Sequence, residues 1–463
     1  MPDVLIELGD TWSMPAAEQE RPPRRRRDRR PWLLLLALAP ALALSGSVPA
    51  QPAFREVASA PAAGIQVFAM IADAIDVVEQ SGVDAATIAS YPLTGGGQRW
   101  RVTIPGAVND LVPEPGTGVL LAVNLAGAGA GRPDASVAAL DAATGRLLWS
   151  RPGARLVDVR ADLRRAVLDM GRAPVSTGVI AIDLRTGEPA WTVPLGRSGT
   201  SWALVTGSGQ GSEHPGRLFA LVDDAVTLLD EASGAVLAST HVEIPPVDER
   251  RDARAPRLYL LGGQGIVAYE DHFHTVFAAY DLTALVPRWR ATMPTETSVL
   301  ASCGPLLCAG TGILSTCFPV RCSEIDSFLY GLDPGTAAQR WVNRGWSRTG
   351  AVLGAGTRVI AFNREPAGSL LAHAAVIDPA TGRVAVDLGA WSPVRPAPGT
   401  ATVLLAQQDD SYHSWFALLR AGTGGLVPLG RLAVAGEACQ STAVHLVCPT
   451  LDGRLTVWRY PSR

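Results

Sequence analysis

The chain has 463 residues, with 40 basic against 43 acidic side chains and a formal net charge of −3, which excludes a global field that recruits nucleic acid. Hydrophobic residues make up 47% and charged residues 18%, which excludes general disorder; 47 glycines and 35 prolines call for frequent turns and few long helices. Every basic residue is arginine, which excludes Schiff-base chemistry and a P-loop, both of which need a lysine amine, and fits a GC-rich bacterial genome.

The first element is an N-terminal apolar segment. Arg21, Arg24, Arg25, Arg26, Arg27, Arg29 and Arg30 stand immediately before the apolar run at 32–44. Positive charge on that flank orients the N-terminus inward and the rest outward. As a helix, residues 32–50 span about 28 Å, close to the hydrocarbon core of a bilayer. The expected organisation is a basic cytoplasmic tail at 1–31, one transmembrane helix at 32–50, a linker at 51–64 and an exported domain at 65–463. The alternative is a signal segment cleaved near Ala50, since Val48, Pro49 and Ala50 are small enough for a cleavage site; Arg29-Arg30 loosely echoes a twin-arginine signal. The apolar patch at 4–8 reads equally as a short binding strand or as part of a disordered tail. A tail of this length is too short for a kinase or DNA-binding domain.

The exported part repeats. Ala139, Asp141, Gly145 and Trp149 recur at the same spacing as Ala181, Asp183, Gly187 and Trp191. Weaker copies keep the frame: Asp281 and Trp289 with Leu285 in the glycine slot, and Asp333 and Trp341 with Ala337 there. Asp230 and Gly234 are followed by Ala238 in the tryptophan slot, and Asp378 and Gly382 by Val386. Gly96 and Trp100 follow Pro92, and Arg420 and Gly424 precede Pro428. Successive aspartate slots lie 42–52 residues apart. Apolar extended runs before each aspartate read as strands buried on both faces. The aspartate accepts from backbone N–H groups of the turn, and the glycine supplies a positive φ. The tryptophan then offers a large apolar face with a polar edge. A unit of this length holds about four strands and cannot bury both faces alone, so such units stack around an axis.

This pattern resembles the tryptophan-docking motif of pyrroloquinoline-quinone (PQQ)-type β-propellers, a group that includes quinoprotein alcohol dehydrogenases and the propeller lipoprotein of the bacterial outer-membrane assembly machinery. The resemblance covers residues 65–463 and implies an all-β propeller in which Trp100, Trp149, Trp191, Trp289 and Trp341 dock on neighbouring blades. Eight four-stranded blades are expected, with seven as the alternative. One blade is expected to be shared between the chain ends, with residues 66–79 supplying its N-terminal strand.

Six cysteines fall in three close pairs, Cys303 and Cys308, Cys317 and Cys322, Cys439 and Cys448. The even count suits an oxidising compartment, and apolar flanks suggest that the first and third pairs bridge hairpin arms while the second closes a loop. Their spacings suit zinc poorly. His272 and His274 read as a polar hairpin tip or as two metal ligands on one strand face. Gly207-Ser208-Gly209-Gln210-Gly211 mimics a hydrolase elbow but has no helix after it.

The quinoprotein enzymes of the resembled group stack their cofactor on a disulfide between adjacent cysteines, and no two cysteines here are adjacent. The expectation is therefore a non-catalytic extracytoplasmic interaction or scaffold module without cofactor or metal, attached to the membrane through its N-terminal segment and binding protein or cell-envelope partners. A PQQ-dependent oxidoreductase is the alternative.

Overall fold

Alternating apolar runs and Asp-x-x-x-Gly turns give a succession of antiparallel sheets. The computed structural model describes residues 53–461 apart from 62–66, 72, 83, 125–134, 173–174, 195–201, 207–215, 223, 245–255, 272–273, 295–296, 312–326, 347, 354–357, 365–371, 398–401, 410–411 and 421–423. The strands described form nine sheets. Eight are four-stranded and give blades 1–8, at residues 68–105, 110–152, 154–194, 202–241, 257–294, 297–344, 348–389 and 392–432. The ninth takes strands from both chain ends. Arg454–Arg459 pairs antiparallel with Arg55–Pro61, Arg55 opposite Arg459 and Pro61 opposite Arg454. His445–Pro449 and Gln440–Ser441 complete its inner part, and the short strand Arg395–Pro396 joins its inner edge in parallel.

First strands of neighbouring blades touch: Trp202–Thr206 meets Arg257–Leu261, which meets Thr297–Cys303. The first strand of each blade therefore faces the axis and the fourth faces outward. Burial follows that order. The second strand of blade 2, Val119–Asn124, is buried along its whole length, whereas the outer strand Pro189–Pro194 of blade 3 is buried only at Trp191. Each pair of neighbouring blades encloses its own apolar cluster, and the series returns to its start. Phe416 and Leu418 of blade 8 pack with Leu446 and Trp458 of blade 9, and Val447, Leu455 and Val457 of blade 9 pack with Ile75 and Val77 of blade 1. The ring is closed, so no sheet in it is left with an unstacked face.

Two expectations are corrected. The blades number nine, not eight or seven. All eight hairpin slots belong to complete blades. In the ninth, the third and fourth strands come from opposite ends of the chain and cannot share a hairpin, so that blade leaves no repeat in the sequence. The N-terminal strand of the shared blade is Arg55–Pro61, inside the expected linker, and not 66–79, whose residues supply the first two strands of blade 1. Arg55–Pro61 is an outer, largely accessible strand with no need of an apolar run, which is why it reads as linker. The N-terminal helix lies outside the described residues. Among those residues no helix is long and apolar enough to cross a membrane.

The repeat residues make the contacts between blades. Each indole N–H of Trp100, Trp149, Trp191, Trp289 and Trp341 donates to a backbone carbonyl in the next blade's hairpin, on Ala142, Leu184, Glu231, Pro334 and Pro379, at 2.8–2.9 Å. For Trp100, Trp149, Trp191 and Trp341 the ring lies against the glycine of the next slot, while the slot after Trp289 holds Ala337. A Cβ on Gly145 would stand 2.5 Å from Trp100, and one on Gly382 2.5 Å from Trp341. Glycine is thus required twice, for φ values of 71° and 69° and for room under an indole. The turn aspartates accept from backbone: Asp281 Oδ1 takes the N–H groups of Thr283 and Ala284, both at 2.8 Å. Those bonds hold its carboxyl below the usual aspartate range.

Between blades 4 and 5, where the tryptophan is missing, the facing slot changes too. Ala238 of blade 4 packs against the cluster that contains Leu285, which occupies the glycine slot of blade 5, is buried and holds φ at 54°. The large side chain comes from the neighbouring blade instead, and it fills part of the space an indole would take. At the 7–8 seam Val386 faces Gly424, whose added Cβ would lie 3.2 Å from it.

This exchange yields a double-mutant test. Leu285→Gly should cost about 2–3 kcal/mol, cavity formation outweighing relief of the positive φ. Ala238→Trp alone should cost about 1–3 kcal/mol by overpacking against Leu285. The double mutant, measured by urea unfolding, should be more stable than the sum of the two effects. Simple additivity would show that the two positions do not share a space.

Candidate functional site

Chain direction gives the ring two unlike ends. The Asp-x-x-x-Gly hairpins and the turns between first and second strands lie at one end. The turns between second and third strands, and the connections between blades, lie at the other, where each first strand begins. Asp141, Asp183, Asp230, Asp281, Asp333 and Asp378, with Gly145, Gly187, Gly234 and Gly382, are all at the hairpin end. They bind their own turns and the neighbouring blade. Arg185 extends this across a seam, donating to Thr117 O at 3.0 Å and to Asp141 Oδ2 at 2.9 Å.

The cysteines divide between two seams. Cys303 is joined to Cys308 across the first hairpin of blade 6, and Cys439 to Cys448 across the inner strands of blade 9. Cys317 and Cys322 lie outside the described residues, as do His272 and the glycine-rich stretch 207–211. His274 is exposed at the start of a strand in blade 5, in register with Asp271. Among the described residues, no three His, Cys, Asp or Glu side chains converge as metal ligands would.

Two features at the connection end were not anticipated. Blade 8 carries an aromatic patch. Tyr412, in the turn between its second and third strands, is 65% exposed and holds a φ of 58°. Trp415 is 47% exposed, with the Arg431 guanidinium 6.0 Å from its ring centre; Arg431 is itself paired with Asp409. Trp415-Phe416 in one strand must point to opposite faces. Phe416 is buried, so Trp415 turns away from that core. In a blade expected to be buried on both faces, the sequence does not say which aromatic is left outside.

The second feature is a cavity of about 160 Å³, open to solvent, where blades 9, 1 and 2 meet at the axis. Phe68, Asn109, Asp110, Arg395, Cys439 and Gln440 line it. Its residues carry no repeat signal, because Arg395 arrives on a strand that leaves its own blade.

One buried acid stands apart from both. Asp76, on the second strand of blade 1, faces Ser90 across the sheet and is fully buried. Among the described residues neither carboxylate oxygen, nor Ser90 Oγ, makes a hydrogen bond of good geometry, although the Ser90 hydroxyl lies near enough to act on the carboxylate. Burial pushes the Asp76 carboxyl up to about 7, outweighing the downward pull of the Ser90 hydroxyl and the Arg99 guanidinium. The fold is a class marker as well as a scaffold: a ring of four-stranded blades joined by indole-on-glycine docking defines a PQQ-like β-propeller. Residues 77–206, less than a third of the chain, match the family model of the outer membrane protein assembly factor BamB.

Several solved structures are similar to the chain at low identity. BamB from Moraxella catarrhalis is 14% identical over 88% of this chain and 100% of its own, with a TM-score of 0.41. A quinohemoprotein alcohol dehydrogenase from Comamonas testosteroni is 12% identical over 89% and 77%, with a TM-score of 0.43. A structure described as a eukaryotic initiation factor is 12% identical over 83% and 91%, with a TM-score of 0.49. Such low likenesses carry nothing about activity. None of the curated proteins matches the chain.

Asp76 gives a pH prediction with a definite sign. Its folded pKa lies above its unfolded value, so the folded state holds the extra proton between about pH 4 and about pH 7. Stability from this group is fully present below pH 4 and is lost as pH rises through 7. Asp76→Asn removes that loss. Its stability relative to the parent should rise across the window, by an amount on the order of 4 kcal/mol at most. Chemical unfolding at pH 5 and pH 8 checks this; a pH-independent difference would contradict it.

Proposed function

We propose that this protein is a non-catalytic extracytoplasmic propeller that presents a rigid interaction surface to protein partners in the bacterial cell envelope. On this reading residues 1–31 are a cytoplasmic tail, 32–50 hold the chain to the membrane, and the ring lies on the outer side. Seven arginines before the apolar run support the orientation. The two disulfides suit an oxidising compartment. The match of residues 77–206 to an envelope assembly factor supports the partner class.

The observation that carries the reading is the patch on blade 8. Tryptophan, tyrosine and arginine are the side chains most enriched at interface hot spots. Here Trp415, Tyr412 and Arg431 stand together on one stiff blade. Holding a non-glycine residue at positive φ costs free energy, and in Tyr412 that cost presents an aromatic ring to solvent.

A photo-crosslinking residue placed at Tyr412 in the native host should trap a discrete envelope protein, whereas one at Val286, equally accessible at the opposite end, should not. Trp415→Ala should weaken capture of that protein by about 2 kcal/mol, near thirtyfold. The same products at both positions, or none at Tyr412, would contradict the assignment.

A further inference from the structure

We propose that the channel mouth at blades 9, 1 and 2 binds a small zwitterion, the carboxylate-and-ammonium head group of an α-amino acid. Two opposite charges meet there without forming a close pair. Arg395 Nη2 lies 3.6 Å from Asp110 Oδ1, beyond hydrogen-bond range. Asp110 Oδ1 accepts the Leu111 N–H at 3.0 Å, which fixes the carboxylate. No other side-chain bond joins either charged group to the described residues.

The fold builds this juxtaposition from separate parts of the chain. Arg395 lies on the strand that leaves blade 8 and pairs in parallel with Gln440–Ser441 of blade 9. The Ala397 N–H secures that strand by donating to Ser441 O at 2.7 Å. Gln440 is buried, and its amide donates to Phe68 O at 2.7 Å, tying blade 9 to blade 1. Asp110 opens the first strand of blade 2. The charges are thus carried by two different blades and overhang one cavity of about 160 Å³, smaller than drug-sized ligand pockets and so suited only to a small head group.

An accessible ion pair this long contributes little by itself, so a ligand displaces it at small cost. A carboxylate gains a bidentate fork from Arg395, and an ammonium gains the Asp110 carboxylate. Acetate or ethylammonium would satisfy one protein charge and separate the other from its only partner. Selection for the zwitterion follows from that difference. The site is on a different part of the ring from the blade 8 patch, and neither proposal depends on the other.

Isothermal titration calorimetry of the full chain with glycine, L-alanine and D-alanine tests the assignment, with acetate and ethylammonium as single-charge probes. At least one amino acid should bind, with each single-charge probe weaker by about tenfold or more. Arg395→Gln and Asp110→Asn should each weaken amino-acid binding by about tenfold or more, with unchanged thermal unfolding. Arg395→Lys, which keeps the charge but loses the fork, should fall between. If either neutral variant fails to fold, the probe series on the parent chain and Arg395→Lys still decide. No amino-acid binding at millimolar concentration, equal affinity for acetate, or binding unaffected in folded neutral variants overturns the proposal.

Discussion

The structure depends on an indole ring lying on a glycine of the neighbouring blade. At four of the nine seams that contact acts in two ways at once. The ring face removes apolar surface from water, and the N–H pairs with a backbone carbonyl of the neighbouring hairpin. The hairpin carbonyl is available only because the aspartate and glycine set the turn. A residue in one blade therefore has its partner in the next, and the repeat is a rule about seams more than about blades.

Seams that depart from the rule show what it requires. Between blades 4 and 5 the large side chain has crossed over, with Ala238 packed against the cluster that holds Leu285, so the seam stays apolar without the indole's hydrogen bond. Between blades 3 and 4 the rule is reinforced. Glu231 accepts the Trp191 indole N–H on its backbone carbonyl, while its buried side chain pairs with Arg160, which also grips Asp162 through two bonds at 2.8–2.9 Å. Loss of one partner there would leave a buried charge, so the cost of breaking that seam exceeds the worth of making it. Blade 9 has no hairpin slot; its seams rely on apolar packing, on the strand that crosses from blade 8 and on the Gln440 amide donating to Phe68 O of blade 1, while the Cys439–Cys448 bridge holds its own inner strands together.

What was legible in the sequence is what a repeat can carry. Trp149, Asp183 and Gly187 recur because each seam poses the same problem, and their contacts follow from the type of side chain. The ninth blade was hidden because its outer strand is 55–61, small, charged and far from its partner in sequence. The surface features were hidden for another reason. Trp415 is an aromatic residue in a strand whose two faces are both expected to be buried, and only the exposed rim of blade 8 separates it from Phe416. Arg395 and Asp110 are ordinary surface residues until a two-residue strand leaves one blade for the next.

The central claim is a ring of nine blades closed by pairing between the chain ends, and a cysteine pair tests it most directly. Ser59 and Thr456 face one another across the closing strands, with their hydroxyl oxygens 3.4 Å apart. Ser59→Cys with Thr456→Cys, oxidised in the folded protein and mapped by non-reducing peptide analysis, should give a disulfide within one chain. The native Cys303–Cys308 and Cys439–Cys448 links should be retained. A free thiol at both positions, or a link formed only between chains, would contradict closure by these strands and with it the count of nine.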